Sequence, residues 1–169
     1  MTSFDAFTES FGRIQGIVHS TLQNATEAEL TYRPDEHANS VAWLIWHLTR
    51  VQDNHVADAA GEEELWTKSG WVERFDLPFD RHATGYGMSA ADVGAVRSSA
   101  ELLGGYFDDV HERSIAYLAG LTSDDYDRIV DEAWTPPVTL GVRLVSVISD
   151  DLQHAGQASY VRGLAKRAV

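Results

Sequence analysis

Four stretches of the chain carry large apolar side chains at steps of three and four residues, and this spacing constrains the fold more than any other feature. Such steps place the side chains on one face of an α-helix, whereas a half-buried strand alternates at every second residue. The sequence therefore predicts an all-α protein, a four-helix bundle with long crossover connections, in one domain over residues 1–169. The four helices are predicted over residues 3–23, 39–61, 98–120 and 139–166.

Shorter helical turns are predicted between these helices by capping signals. A Ser or Thr followed three residues later by Glu or Asp has the spacing of a capping box, in which each end satisfies a free backbone N–H group of the other. Thr26, Ser89 and Thr122 begin such patterns. Residues 129–140 contain a Pro-Pro pair, so we expect an extended connection there, and no segment is predicted to form a strand.

The connection between the second and third long helices is long and rich in aromatic residues. Residues 62–89 show little periodicity and hold several glycines, Pro78 and large aromatic side chains. Long connections that pack through their own side chains tend to be functional. We expect this segment to fold over the mouth of a site, with Trp66, Trp71 and Tyr86 lining a substrate pocket.

The composition limits the chemistry and the partners of the protein. It has no cysteine, so a metal ion would have to be held by imidazole and carboxylate groups. Its net charge of −13 disfavours binding to nucleic acids and to anionic membranes. No apolar run reaches the roughly 20 residues of a membrane-spanning helix. The first residues lack the basic start and apolar core of a signal peptide, so a cytoplasmic location is expected.

Two of the seven histidines lie where a metal ion could be bound. His47 is set in the strongly apolar stretch 43–48, and a buried imidazole without a partner is costly. Asp150 and His154 are four residues apart, which places them on adjacent turns of one helix face, about 40° apart. Two imidazoles and one carboxylate from two facing helices would leave coordination positions open, as catalytic metal sites do.

Other readings of the same residues remain open. Asp150 and His154 could form an ordinary hydrogen bond with no metal ion between them. Asp151 is the alternative carboxylate, although it lies about 100° from Asp150 around the helix. Gln157, three residues after His154, could donate or accept a hydrogen bond that orients the imidazole, or could face water.

Several motifs resemble those of the DinB-like (damage-inducible B) superfamily, and most closely its actinobacterial branch. They cover nearly the whole chain and are found at residues 38–53, 66–71, 84–87, 110–113, 136–144 and 151–157. The resemblance implies a bundle with an up-down-down-up order of helices and a homodimer. It also implies a metal triad of one histidine on the second helix and a His-x-x-x-His pair on the last. His47 and His154 match two of these positions, and Asp150 stands at the third.

The resemblance also implies a type of reaction. Related enzymes are transferases and isomerases that use a low-molecular-weight thiol such as mycothiol or bacillithiol. The protein would then bind one divalent metal ion (zinc, nickel, iron or manganese) and use the thiol as cosubstrate against an electrophilic small molecule. Trp43, Gln157 and Tyr86 are expected beside the metal, together with Trp66 and Trp71. The alternatives are a non-catalytic metal-binding stress-response protein and a site that binds no metal.

Overall fold

The computed structural model describes residues 2–168 and is built around four long helices, as the apolar spacing predicts. The first, α1, spans Ser3–Leu22, and the other three come after shorter elements of the chain. The short helices are α2 (Glu27–Thr31), α4 (Leu65–Lys68), α5 (Trp71–Phe75) and α6 (Ala90–Ala95). The remaining long helices are α3 (Val41–Ala60), α7 (Ala100–Ala119) and α8 (Leu140–Ala168).

The ends of these helices are set by the capping residues that the sequence indicates. The side chains of Ser40 and Ser99 accept hydrogen bonds from backbone N–H groups three residues on, at the start of α3 and of α7. Capping boxes are present at Thr26, at Ser89 and at Thr122, where a 3₁₀ helix spans Ser123–Asp127. Gly61 ends α3 in the left-handed conformation (φ +68°), which glycine adopts without steric cost.

Hydrogen bonds between the helices establish their directions. Arg50 meets Tyr106 and Ala59 meets Tyr117, so α3 and α7 run parallel. The Arg162 side chain reaches the carbonyl groups at the end of α1, so α1 and α8 also run parallel. Helices α1 and α3 each pack against both α7 and α8, so α1 and α3 occupy diagonally opposite positions in the bundle. Contacts between α3 and α8 run in opposite order, His47 with His154 and His55 with Arg143, so these two helices are antiparallel. The all-α bundle with an up-down-down-up order is therefore confirmed.

The expectation of no strands is wrong for one short segment. Two strands, β1 (Ile129–Asp131) and β2 (Val138–Thr139), pair antiparallel between the 3₁₀ helix and α8. The extended conformation was expected from the Pro-Pro pair, but the pairing was not, because three- and two-residue strands are too short to show an alternating pattern. Within residues 2–168, none of the helices combines the length and the apolar character that crossing a membrane requires.

The most buried element is α3, because α7 and α8 pack against it and the 62–89 segment covers much of the rest. Most of its residues are buried, including the charged side chains of Arg50 and Asp53. The Asp53 carboxylate accepts hydrogen bonds from the backbone N–H groups of Leu65 and Trp66 at 3.0 and 2.8 Å. It also accepts one from the Tyr106 hydroxyl at 2.7 Å and one from an Arg113 Nη2 at 2.6 Å. Asp53 thus joins α3 to α4 and to α7.

We expect Asp53→Asn to lower the free energy of unfolding by about 3–5 kcal/mol, the usual cost of breaking a buried charge pair by removing one partner. The substitution would replace one carboxylate oxygen, which accepts hydrogen bonds, by an NH₂ group, which would face N–H and O–H donors. Urea denaturation measures the change, and Asp58→Asn is the matched control, because Asp58 is exposed on the same helix. Equal effects of the two substitutions would show that Asp53 does not hold the segment in place.

Candidate metal centre

His47 lies on the inner face of α3, and its ring is held by a backbone carbonyl group. The Nδ1 atom is 2.5 Å from the carbonyl oxygen of Thr84, in the 62–89 segment. A carbonyl oxygen can only accept, so Nδ1 carries the proton and Nε2 keeps its lone pair. Histidines that bind metals are commonly oriented in this way by a hydrogen bond from the other ring nitrogen.

His154 on α8 is oriented in the same manner by a side chain one turn further along. Its Nδ1 lies 3.1 Å from the side-chain oxygen of Gln157, which leaves its Nε2 directed at the carboxylate of Asp150, 3.6 Å away. Gln157 is exposed and contacts the His154 ring, and its role in orienting that imidazole for a metal ion stays a prediction.

The three predicted ligands come together between α3 and α8. One ligand atom from each of His47, Asp150 and His154 can be chosen so that all lie within 4.8 Å of one another. The second carboxylate oxygen of Asp150 is buried and has no hydrogen-bond partner among residues 2–168. Two imidazole nitrogens with free lone pairs and an unsatisfied carboxylate fit a divalent cation such as zinc, nickel, iron or manganese. That such an ion binds here stays a prediction.

Burial shifts the pKa values of His47 and Asp151, the two buried titratable groups at or beside the cluster. Burial lowers the pKa of the His47 imidazole, so the neutral form that can bind a metal is favoured. Burial, with a smaller effect of the Asp150 charge, raises the pKa of Asp151 well above its ordinary value. Asp151 is turned into the core and is not one of the three clustered residues, so the structure brings Asp150 and not Asp151 to the histidines.

Aromatic side chains form two sides of the cluster. Trp43 stacks on the His47 ring at 4.5 Å between centroids and lies perpendicular to the His154 ring at 6.1 Å. Tyr86 meets His47 edge-on at 5.2 Å and is 65% exposed. The side chains of Asp150 and His154 are 25% and 18% exposed, whereas His47 is buried, so the cluster lies at the edge of the core.

Trp66 and Trp71, expected beside the same pocket, pack elsewhere. Both surround the buried ring of Tyr106, at 5.3 and 5.5 Å between centroids. The Trp66 indole donates to the carbonyl of Arg81, and the Trp71 indole donates to Asp109. These two tryptophans fix the 62–89 segment to the bundle, while Tyr86 is the member of the predicted group that reaches the histidines.

Two contacts of the site involve backbone atoms that the sequence does not reveal. The first is the Thr84 carbonyl described above. The second is Gly85, where φ is +107° and where a Cβ atom would overlap Nδ1 of His47. The pattern Gly-Tyr-Gly at residues 85–87 signals an unusual backbone, but nothing in it points to His47 as the neighbour.

Comparison with known proteins identifies relatives of the chain and of its fold. A family model described as the DinB superfamily matches residues 11–158. The crystal structure of a conserved protein from Enterococcus faecalis is similar to this chain, with 30% sequence identity, 98% of each chain covered and a TM-score of 0.91. Among curated proteins, none matches significantly.

We expect Gly85→Ala to destabilise the protein more than Gly87→Ala, by upwards of about 1 kcal/mol in the free energy of unfolding. Both glycines have positive φ, so both substitutions strain the backbone, but a side chain at Gly87 meets no atom within 4 Å. Urea denaturation of the two variants measures the additional cost at Gly85 of the overlap with His47 and of a φ that lies further from the left-handed region open to alanine. Equal losses would contradict the close approach of Gly85 to His47.

Proposed function

The chain belongs to the DinB superfamily, and from that premise we propose that it is a metal-dependent thiol S-transferase. In this proposal His47, Asp150 and His154 hold one divalent cation, and a low-molecular-weight thiol of the mycothiol type attacks an electrophilic small molecule. The observation that carries the proposal is the convergence of one ligand atom from each of these side chains within 4.8 Å, with Asp150 and His154 partly exposed.

The chain's own residues prepare the site in three ways. The Thr84 carbonyl and the Gln157 side chain keep the two Nδ1 protons in place, so that both Nε2 atoms are free. Trp43 shields one side of His47 from water. Three protein ligands do not complete the coordination of a divalent metal ion, so one position or more remains for a small molecule.

The reaction requires the thiol to lose its proton before it attacks. A bound divalent cation lowers the pKa of a thiol that coordinates it, and the thiolate is the nucleophilic form. The thiol proton passes to solvent, a new S–C bond forms at the electrophilic carbon, and the leaving group departs with its electron pair. Tyr86 borders the open side of the cluster, where the electrophile would enter.

A second function is favoured by the position of the three ligands. His47 is on α3, and Asp150 and His154 are on α8, so a shared ion would cross-link two long helices of the bundle. Such a link stabilises the folded state by mass action whether or not any reaction takes place. A non-catalytic metal-binding stress-response protein would use the site in this way.

Elemental analysis of protein purified without an affinity tag tests the metal site. We expect near-stoichiometric metal in the wild type and its loss in His154→Ala, because one of three ligands is removed. His37→Ala is the control, since His37 is exposed and is not one of the three clustered residues. Absence of metal in the wild type, even after incubation with zinc, nickel, iron and manganese, would refute the proposed site.

The same three proteins separate the enzyme from the non-catalytic alternative. With mycothiol or bacillithiol and a fluorogenic bimane electrophile, we expect conjugate formation by the wild type and His37→Ala, and none above background by His154→Ala. A wild type that binds metal and forms no conjugate with a panel of such electrophiles would favour the non-catalytic function.

We also propose that two copies of the chain pair through the outer face of α8. Among the exposed positions between residues 142 and 160 of this helix there is no charged residue, although the chain carries 26 acidic residues. Two chains of net charge −13 repel each other, so an uncharged face offers the approach of lowest energy. The exposed apolar side chains on this face are Val142, Val145, Leu152 and Tyr160.

We expect Val145→Glu to convert the dimer to a monomer, because it places two like charges in an apolar contact. Sedimentation velocity at equal concentrations measures the change. Ala28→Glu, on the exposed surface of α2, adds the same charge outside the exposed face of residues 142–160 and should leave the dimer intact. A monomeric wild type would rule out this pairing and would leave the metal site unaffected.

A further inference from the structure

Arg50 is a fully buried cation whose guanidinium group donates hydrogen bonds to the 62–89 segment at two places. Its Nε donates to the carbonyl of Ala83 at 3.1 Å, and an Nη1 donates to the carboxylate of Glu64 at 2.6 Å. The guanidinium also lies 5.0 Å from the centre of the Trp66 ring and 3.3 Å from the Tyr106 hydroxyl. The guanidinium therefore fixes the 62–89 segment from inside the bundle.

The first of these contacts lies directly beside the proposed metal ligand. Arg50 follows His47 by three residues, so both side chains leave α3 on the same side. Arg50 binds the carbonyl of Ala83, and His47 binds the carbonyl of the next residue, Thr84. Two consecutive carbonyl groups are thus held by two neighbouring side chains of one helix.

We propose that Arg50 is a positioning residue for His47: by fixing residue 83, it keeps the Thr84 carbonyl against Nδ1 and so leaves Nε2 free for a metal. The importance of this inference for catalysis rests on the proposed function, but the orientation of the ring does not. An unconstrained neutral imidazole prefers to carry its proton on Nε2, the atom that a metal would need. The carbonyl overcomes that preference only while it stays in place.

Arg113 provides a matched control for a purely structural effect. It is a partly buried arginine of the same polar network and donates to the Asp53 carboxylate at 2.6 Å. Its other contacts are with the carbonyl groups of Asp53 and Glu63, not with residues 83–85. A substitution of Arg113 therefore disturbs the network without touching the support of the Thr84 carbonyl.

The test compares Arg50→Lys with Arg113→Lys. Lysine keeps the positive charge but cannot reach Ala83 and Glu64 with the two separate edges of a guanidinium group. Long-range proton–nitrogen NMR of chelator-treated protein, at a pH where the imidazoles are neutral, reports which ring nitrogen of His47 carries the proton. We expect the Nδ1–H form in the wild type and in Arg113→Lys, and a mixture of both forms in Arg50→Lys.

Zinc affinity, measured by competition with a chromophoric chelator, gives the second reading. Loss of an orienting interaction typically weakens metal binding about 10–100-fold, and we expect this for Arg50→Lys. Arg113→Lys should remain within about twofold of the wild type. If Arg50→Lys does not fold, the double variant Arg50→Gln with Glu64→Gln removes both charges together, so that no charge is left unpaired, and the same readings apply.

The outcomes distinguish this inference from the proposed function. A folded Arg50 variant that keeps His47 in the Nδ1–H form, or an Arg113 variant that shifts it equally, would overturn the positioning role. A wild type that binds no zinc would refute the metal site, yet the NMR comparison would still decide whether Arg50 orients His47.

Discussion

Helix α3 is buried on nearly all sides, and the structure depends on how the polar side chains of this helix find hydrogen-bond and charge partners. Because α3 is covered by α7, α8 and the 62–89 segment, Arg50 and Asp53 cannot reach water. An unpaired buried charge costs several kcal/mol, so these side chains require fixed partners. The partners are supplied by backbone groups at the start of α4 and by Tyr106 and Arg113 on α7. The 62–89 segment therefore takes a fixed conformation, because it supplies hydrogen-bond donors and acceptors to the buried side chains of α3.

The same requirement explains the geometry of the candidate metal centre. His47 is one more buried polar side chain of α3, and it too is satisfied by the 62–89 segment, at the Thr84 carbonyl. Nδ1 donates its proton to this hydrogen bond, and Nε2 has no hydrogen-bond partner on the 62–89 segment. The ring nitrogen that remains faces α8, where Asp150 and His154 lie one turn apart. Nε2 of His47 is therefore available as a metal ligand because no hydrogen bond within residues 2–168 of the bundle occupies it.

The sequence predicted the parts of this arrangement that depend on local periodicity. The apolar spacing and the caps at Ser40 and Gly61 define α3 to within two residues of its observed ends, and the four-residue step from Asp150 to His154 identifies one face of α8. The contacts of Thr84 and Gly85 with His47 join residues 37 and 38 positions apart and involve the backbone, which leaves no mark on side-chain patterns. For the same reason Trp66 and Trp71 were expected at the site, since aromatic content alone does not tell packing in the core from lining a pocket.

The carboxylate of Asp150 changes what the centre can do compared with the three imidazoles that the family resemblance implies. Two neutral imidazoles and one carboxylate lower the net charge of a bound dication by one unit, which weakens its pull on the electrons of an added ligand. The same carboxylate favours harder metal ions than imidazole alone does. Burial raises the pKa of the neighbouring Asp151 well above its ordinary value, which disfavours a second negative charge beside Asp150. A divalent cation held by this ligand set would therefore be a weaker Lewis acid than the same cation held by three neutral imidazoles.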